Sequence, residues 1–263
     1  MNIKSKRGNR KRGTHVGVVL SFVIFVTFLI FIYSILGTKI QNQTSKQNVL
    51  DNLRTKLLIE NFLSSSSVEI LTINLIPGTH GAAKDCIQFN IVSTNLEDII
   101  NENTKDHLKI KNESGETLDY LFLGSQNNIR ISPVNSEQNA VLKIYYSQKI
   151  TSNEESSISG CKNIDNDRII RGEIREETWI FESGITSLID RYEADCGESL
   201  KTEFGVSEGS NFWFSFELAD ETIIQPACRE IPNTLNVYAA RVPVVYLDEN
   251  ANTLSGFINL IVW

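Results

Sequence analysis

The sequence lacks the short motifs by which several large enzyme families are recognised. It contains three histidines, and none stands in the H-E-x-x-H pattern that supplies two zinc ligands and a general base. It has no G-x-x-x-x-G-K-[S/T] loop for nucleotide phosphates and no G-x-G-x-x-G turn for a dinucleotide. His80 and Cys86 could pair as base and nucleophile, but we interpret them as a loop residue and a half-cystine. We therefore predict a protein that is not an enzyme and has no cofactor.

Metal-binding patterns are also missing. No two of the four cysteines have C-x-x-C spacing, so a zinc site is not predicted. Asp248, Asn250 and Asn252 alternate as the first ligands of an EF-hand loop do, but Thr253 occupies the glycine position and Asn259 the final glutamate position. We predict a hairpin turn there and no metal site.

A dense block of charges of a single sign lies at the N-terminal end of the chain. The first 13 residues carry six lysines and arginines and no acid, which leaves a net charge of -13 on the remainder of a chain whose total is -7. An acidic body repels phosphate backbones, so nucleic acid is not an expected partner. The basic block directly precedes an apolar run, where such charges usually set membrane topology.

Long apolar runs are absent except at residues 16–36, which contain no Asp, Glu, Lys or Arg. A helix of this length spans a hydrocarbon core of about 30 Å. The run is longer than a typical signal-peptide core and is not followed by a small-residue cleavage site. We expect a single pass through the lipid bilayer of the cell membrane, with the basic end cytoplasmic and the remaining chain extracytoplasmic.

Lys11, Arg12 and Gly13 before the apolar run resemble the class III signal of archaeal type IV pilins and archaellins. The resemblance implies cleavage between Gly13 and Thr14 on the cytoplasmic side, which keeps the apolar helix. It further implies that this helix packs against identical or related subunits in a filament. Many pilin-like helices carry a glutamate near the fifth mature position, where this chain has Val18.

The remaining pattern predicts an α+β fold. We divide the chain into a cytoplasmic leader (1–13), a transmembrane helix (14–37), an amphipathic stalk helix (38–63), an antiparallel β unit (68–150) and an α+β unit (168–263). The fold class is therefore a long N-terminal helix followed by a mostly antiparallel β ectodomain, with one helix in the C-terminal half. That helix is expected over residues 185–205, and a hairpin closes the chain.

The cysteines and two sequons are the candidate modification sites. Four cysteines on the extracytoplasmic side allow two disulfides, for which we prefer Cys196 with Cys228 and therefore Cys86 with Cys161; four free thiols are the alternative. The N-x-S/T pattern occurs at Asn42 and Asn112, and the second lies in an expected hairpin turn.

The favoured function is structural: a single-pass, membrane-anchored extracytoplasmic protein that is a pilin-like subunit or accessory component of a type IV filament-like system. The alternative is an uncleaved, signal-anchored ectodomain that acts as a surface binding module. An extracellular enzyme ranks third.

Overall fold

The computed structural model describes residues 15–59, 65–76, 85–228 and 237–263. The chain divides into two units, Met1–Asn48 and Val49–Trp263, and we call the second the C-terminal unit. The predicted processing residues Gly13 and Thr14 lie outside the described residues, as does His80.

One helix, α1 (His15–Ile59), contains the apolar run and most of the predicted stalk. Its first part presents apolar residues on every side, whereas its end is amphipathic. In the C-terminal unit, Val49, Leu50, Leu53 and Leu57 of this helix recur at three- and four-residue steps and are all buried. The end of α1 therefore contributes one side of a hydrophobic core.

The larger of two sheets has eight strands. These are β1 (Ser66–Leu75), β2 (Ile87–Asn90), β3 (Leu108–Asn112), β4 (Thr117–Leu123), β5 (Asn128–Ser132), β6 (Ala140–Tyr146), β7 (Lys162–Asn163) and β8 (Ile169–Trp179). Their spatial order is β7-β2-β5-β4-β3-β6-β1-β8. All pairings are antiparallel except β2 with β7, which is parallel. The predicted hairpin around Gly115 is confirmed, because β3 and β4 pair directly.

The smaller sheet has four antiparallel strands: β9 (Phe212–Glu217), β10 (Ile223–Ile224), β11 (Tyr238–Leu247) and β12 (Thr253–Val262), in the order β10-β9-β12-β11. Phe212, Phe214 and Phe216 alternate to one face of β9, where all three are buried. Trp213 lies on the opposite face, half-buried, and its Nε1 donates to the Pro226 carbonyl over 3.4 Å. The final hairpin is confirmed as β11 and β12. The α+β, mostly antiparallel fold class is therefore confirmed.

The prediction of one helix in the C-terminal half is wrong. The structure has two, α2 (Glu182–Asp195) and α3 (Glu198–Phe204). They are separated by Cys196 and Gly197, whose φ values of 53° and 79° are left-handed and cannot continue an α-helix. The Asp195 carboxylate stabilises this break by accepting hydrogen bonds from the backbone N–H groups of Gly197 (3.1 Å) and Ser199 (2.8 Å). Residue periodicity continues across the break, which is why the pattern resembled one helix.

The predicted α+β unit (168–263) begins with strand β8. Strand β8, which we assigned to the second unit, pairs along its length with β1 in the larger sheet. It is an edge strand with a bulge opposite Thr72, where a Cβ on Gly172 would lie 3.0 Å from the Thr72 carbonyl oxygen. It carries five charged residues of both signs: Arg171, Glu173, Arg175, Glu176 and Glu177.

Three hydrophobic clusters fill the C-terminal unit. One lies within the larger sheet, and a second lies between the smaller sheet, α2, α3 and the end of α1. The third joins the two sheets and contains the buried residues Val68, Ile150, Phe181, Leu247 and Ala251. Since β1 and the β11–β12 hairpin share this third cluster, the two sheets belong to one folded unit.

Candidate functional site

The most exposed apolar surface in the described part of the chain is the first half of α1. Gly17–Ser34 is long and apolar enough to cross a membrane, and none of it is buried. Its large apolar side chains point in all directions, with Val18 70% exposed and Phe31 63% exposed. The Thr27 hydroxyl donates to the Val23 carbonyl over 3.0 Å, so this polar group is satisfied without water. The segment has the character shared by membrane anchors and signal sequences.

The other end of α1 is fixed to α3 by hydrogen bonds as well as by apolar packing. Asn52 Nδ2 donates to the Phe204 carbonyl over 2.9 Å, and Lys56 Nζ donates to the Glu203 carbonyl over 2.8 Å. These carbonyls lie in the last turn of α3, where no further helical turn can supply N–H donors. Side chains of α1 therefore cap the C-terminus of α3.

The four cysteines occupy two separate places. Cys86 and Cys161 form a disulfide beside the pairing of β2 with β7. Cys196 and Cys228 are free thiols, and Cys196 Sγ lies 3.4 Å from the Cys228 carbonyl oxygen. Partial desolvation and, to a smaller extent, a hydrogen bond with Cys196 raise the pKa of the Cys228 thiol to about 11.

The sequon at Asn112 lies at the end of β3, where the hairpin turn begins. Its Nδ2 donates to Glu116 Oε2 over 2.7 Å, and its Oδ1 accepts from the Glu116 N–H over 2.9 Å. The amide therefore holds the turn in place while Glu113 and Ser114 are exposed. Asn42 falls within α1, but its side chain is outside the described part.

We predicted that no G-x-S-x-G nucleophile elbow is present, but residues 205–209 read G-V-S-E-G and match that pattern. Such an elbow joins a strand to a following helix, whereas this segment leaves α3 and leads into β9. Gly205 is the C-cap of α3, and Ser207 Oγ bonds Ser210 Oγ at 3.4 Å. We interpret the segment as a helix-terminating turn.

A polar cleft of about 610 Å³ lies between the two sheets. It is lined by the start of α2, the turn after β11 and residues 148–151, including Lys149, Glu182, Asp248 and Glu249. Burial, reinforced by the negative charge of Asp248, raises the pKa of Glu182 above its ordinary value. No group of three histidine, cysteine or acidic side chains among the described residues is arranged to hold a metal ion.

The turn between β11 and β12 is built around Asp248. Its Oδ1 accepts hydrogen bonds from the backbone N–H groups of Asn250 and Asn252, each over 2.8 Å, and its Oδ2 accepts from Asn252 Nδ2 over 2.7 Å. The ammonium of Lys111, from β3, donates to Asn252 Oδ1 over 2.7 Å and to the Ala251 carbonyl over 2.8 Å. A hairpin turn is therefore present as predicted, and a lysine of the larger sheet contacts Asn252, one of the three residues that resemble calcium ligands.

Sequence reasoning missed Lys111. In the alternating stretch H-L-K-I-K, a lysine indicates a face that points to water, yet Lys109 and Lys111 are only 3% and 4% exposed. Local alternation identifies the face of a strand but not the segment that later covers it.

The described residues thus present an apolar helix, a polar cleft and a turn held by a buried lysine. Comparison with protein-family models, with curated proteins and with solved structures finds no match for this chain.

Proposed function

We propose that this protein is a membrane-anchored extracytoplasmic structural protein, a pilin-like subunit or accessory component of a type IV filament-like system. The observation that carries the proposal is the two-part character of α1. One half is apolar on every face, and the other end is amphipathic and enters the core of an antiparallel-sheet unit. A pilin-like subunit requires both properties in one helix.

The apolar half suits contact with identical helices as well as with lipid. Lipid tails and apolar side chains offer the same environment, so association of such helices depends on close packing rather than on hydrophobic burial. Gly17 has no atom within 4 Å of the position a Cβ would take, so this side of the helix is open to a neighbour. The basic leader supports an orientation in which the N-terminus is cytoplasmic and the C-terminal unit is extracytoplasmic.

The alternative function is a surface binding module held by an uncleaved signal anchor. The polar cleft between the sheets supports this candidate, because pockets of about 300–1,000 Å³ commonly accept small ligands. Its lining is mostly polar and charged, which favours a polar ligand over an apolar one.

The N-terminal residue of the mature protein distinguishes the two functions. Mass spectrometry of membranes from the native host is expected to find a chain that begins at Thr14. Gly13→Val should abolish this processing, whereas Gly17→Ala, four residues further on in open space, should be processed normally. An intact Met1, or Asn2 after methionine removal, would refute the pilin-like proposal and favour the anchored binding module.

A further inference from the structure

Three side chains with complementary reactivity meet where the larger sheet contacts the β11–β12 turn. Lys111 supplies an amine, Asn252 a carboxamide and Asp248 a carboxylate. The Lys111 Nζ lies 2.7 Å from Asn252 Oδ1, the oxygen of the carbonyl group that an amine would attack. On the other side of the same carboxamide, Asp248 Oδ2 lies 2.7 Å from Nδ2, the nitrogen that would leave. One hydrogen bond thus joins the nucleophile to the electrophile, and a second joins the electrophile to the proton carrier.

The site holds these groups in one geometry, with the lysine shielded from water and with Asn252 and Asp248 half-buried. Lys111 is 4% exposed and Ala251 is 3% exposed, and the Tyr145 ring lies 6.0 Å from the lysine Nζ. The two backbone N–H groups that bind Asp248 Oδ1 fix the carboxylate, which leaves Oδ2 directed at the Asn252 amide. Such pre-organisation raises the effective concentration of the reacting groups by orders of magnitude.

The protonation state required of the lysine is also favoured by its surroundings. An attacking amine must be neutral, and burial lowers the pKa of Lys111, with a smaller contribution from the nearby charge of Lys109. The negative charge of Asp248 opposes this shift in part.

We propose that Lys111 and Asn252 become joined by an intramolecular isopeptide bond, with Asp248 as the catalytic carboxylate. The Lys111 nitrogen forms a bond to Asn252 Cγ, and the bond from Cγ to Nδ2 breaks. Asp248 accepts a proton from the attacking nitrogen and transfers it to Nδ2, which leaves as ammonia. In sum, one neutral side-chain amine and one carboxamide give one secondary amide and one ammonia molecule, with no oxidant or reductant.

The bond would connect β3 of the larger sheet to the β11–β12 turn of the smaller sheet. Residues 111 and 252 are separated by most of the C-terminal unit in sequence, so the bond would close a long loop across the contact between the sheets. Such a bond is independent of the proposed function, although a subunit under tension would benefit from it.

Peptide mapping of the full chain, extracted from membranes in detergent and reduced, tests the proposal. Trypsin is expected to release residues 110–130, uncut after Lys111, attached to residues 242–263, with the mass of the pair lower by one ammonia molecule. Recovery of Lys111 and Asn252 in separate, unmodified peptides from the folded wild-type protein would overturn the proposal. This result does not depend on whether any variant folds.

Two matched pairs of variants identify the reacting groups. Lys111→Arg and Asp248→Asn should lose the joined peptide completely. Lys109→Arg, on the same face of β3, and Glu249→Gln, beside Asp248 in the turn, should keep it. An ammonia loss that persists in Lys111→Arg would indicate a succinimide formed by Asn252 alone and would contradict the proposal.

Discussion

Replacing Leu53 by alanine tests whether the end of α1 is part of the core of the C-terminal unit. The Leu53 side chain is fully buried in the cluster between the smaller sheet, α2, α3 and α1. Each of the three carbons removed contributes about 0.8 kcal/mol of transfer free energy, and the cavity that remains lowers the stability further. Buried leucine-to-alanine changes lower the free energy of unfolding by about 2–5 kcal/mol in total.

For a unit of this size, a change of about 1 kcal/mol shifts the midpoint of thermal unfolding by roughly 2–4 °C. We therefore expect the midpoint of Leu53→Ala to fall by roughly 5–15 °C. The assay is thermal unfolding of the full chain in detergent, followed by the fluorescence of Trp179, Trp213 and Trp263, all of which belong to the C-terminal unit.

Arg54→Ala is the matched control. Arg54 follows Leu53 in the same helix and is exposed. Both variants introduce alanine, so the effect of helix propensity is similar in the two. If both variants unfold at the same temperature, the end of α1 does not pack in this core, and the reasoning that joins the apolar helix to the folded unit is wrong.

Two further predictions concern the ionisable side chains. Glu182→Gln should raise the midpoint of thermal unfolding at neutral pH. Burial and the charge of Asp248 raise the pKa of Glu182 in the folded state, so ionisation of this carboxyl lowers the stability of the fold. The loss of stability is complete above the folded-state pKa and absent below the unfolded-state pKa. Thermal unfolding from pH 7 down to pH 3 should show the advantage of the variant disappearing on the acid side, and a constant difference would contradict this explanation. In protein from the native host, Cys196 and Cys228 should form the second disulfide, because they are exposed to the same oxidising compartment as Cys86. Thiol alkylation before and after reduction measures this disulfide. Labelling of both thiols without reductant would exclude it.

The elements governed by local pattern were predictable from the sequence. The apolar run predicts a helix that is apolar on every face, and α1 has this character over Gly17–Ser34. The alternation of Phe212, Phe214 and Phe216 predicts one buried face, and the structure confirms it. In both cases the side-chain period alone determines which face is apolar.

Local pattern was not sufficient where the outcome depends on a distant segment or on a single backbone conformation. The left-handed conformation of Cys196 ends α2, although a cysteine gives no signal of a helix end. The partner of β8 is β1, about 100 residues earlier, and no local pattern specifies such a pairing. Lys111 was missed for the same reason, since the turn that covers it lies near the end of the chain.

The irregular edge strand β8 has a consequence for a protein confined to a membrane surface. Membrane anchoring confines copies to two dimensions, where their sheets meet far more often than in dilute solution. A regular edge strand would favour pairing between the sheets of two copies. The bulge at Gly172 and the charged side chains from Arg171 to Glu177 disfavour this pairing. In the proposed arrangement, crowded copies would keep their sheets separate and leave ordered association to the apolar helix.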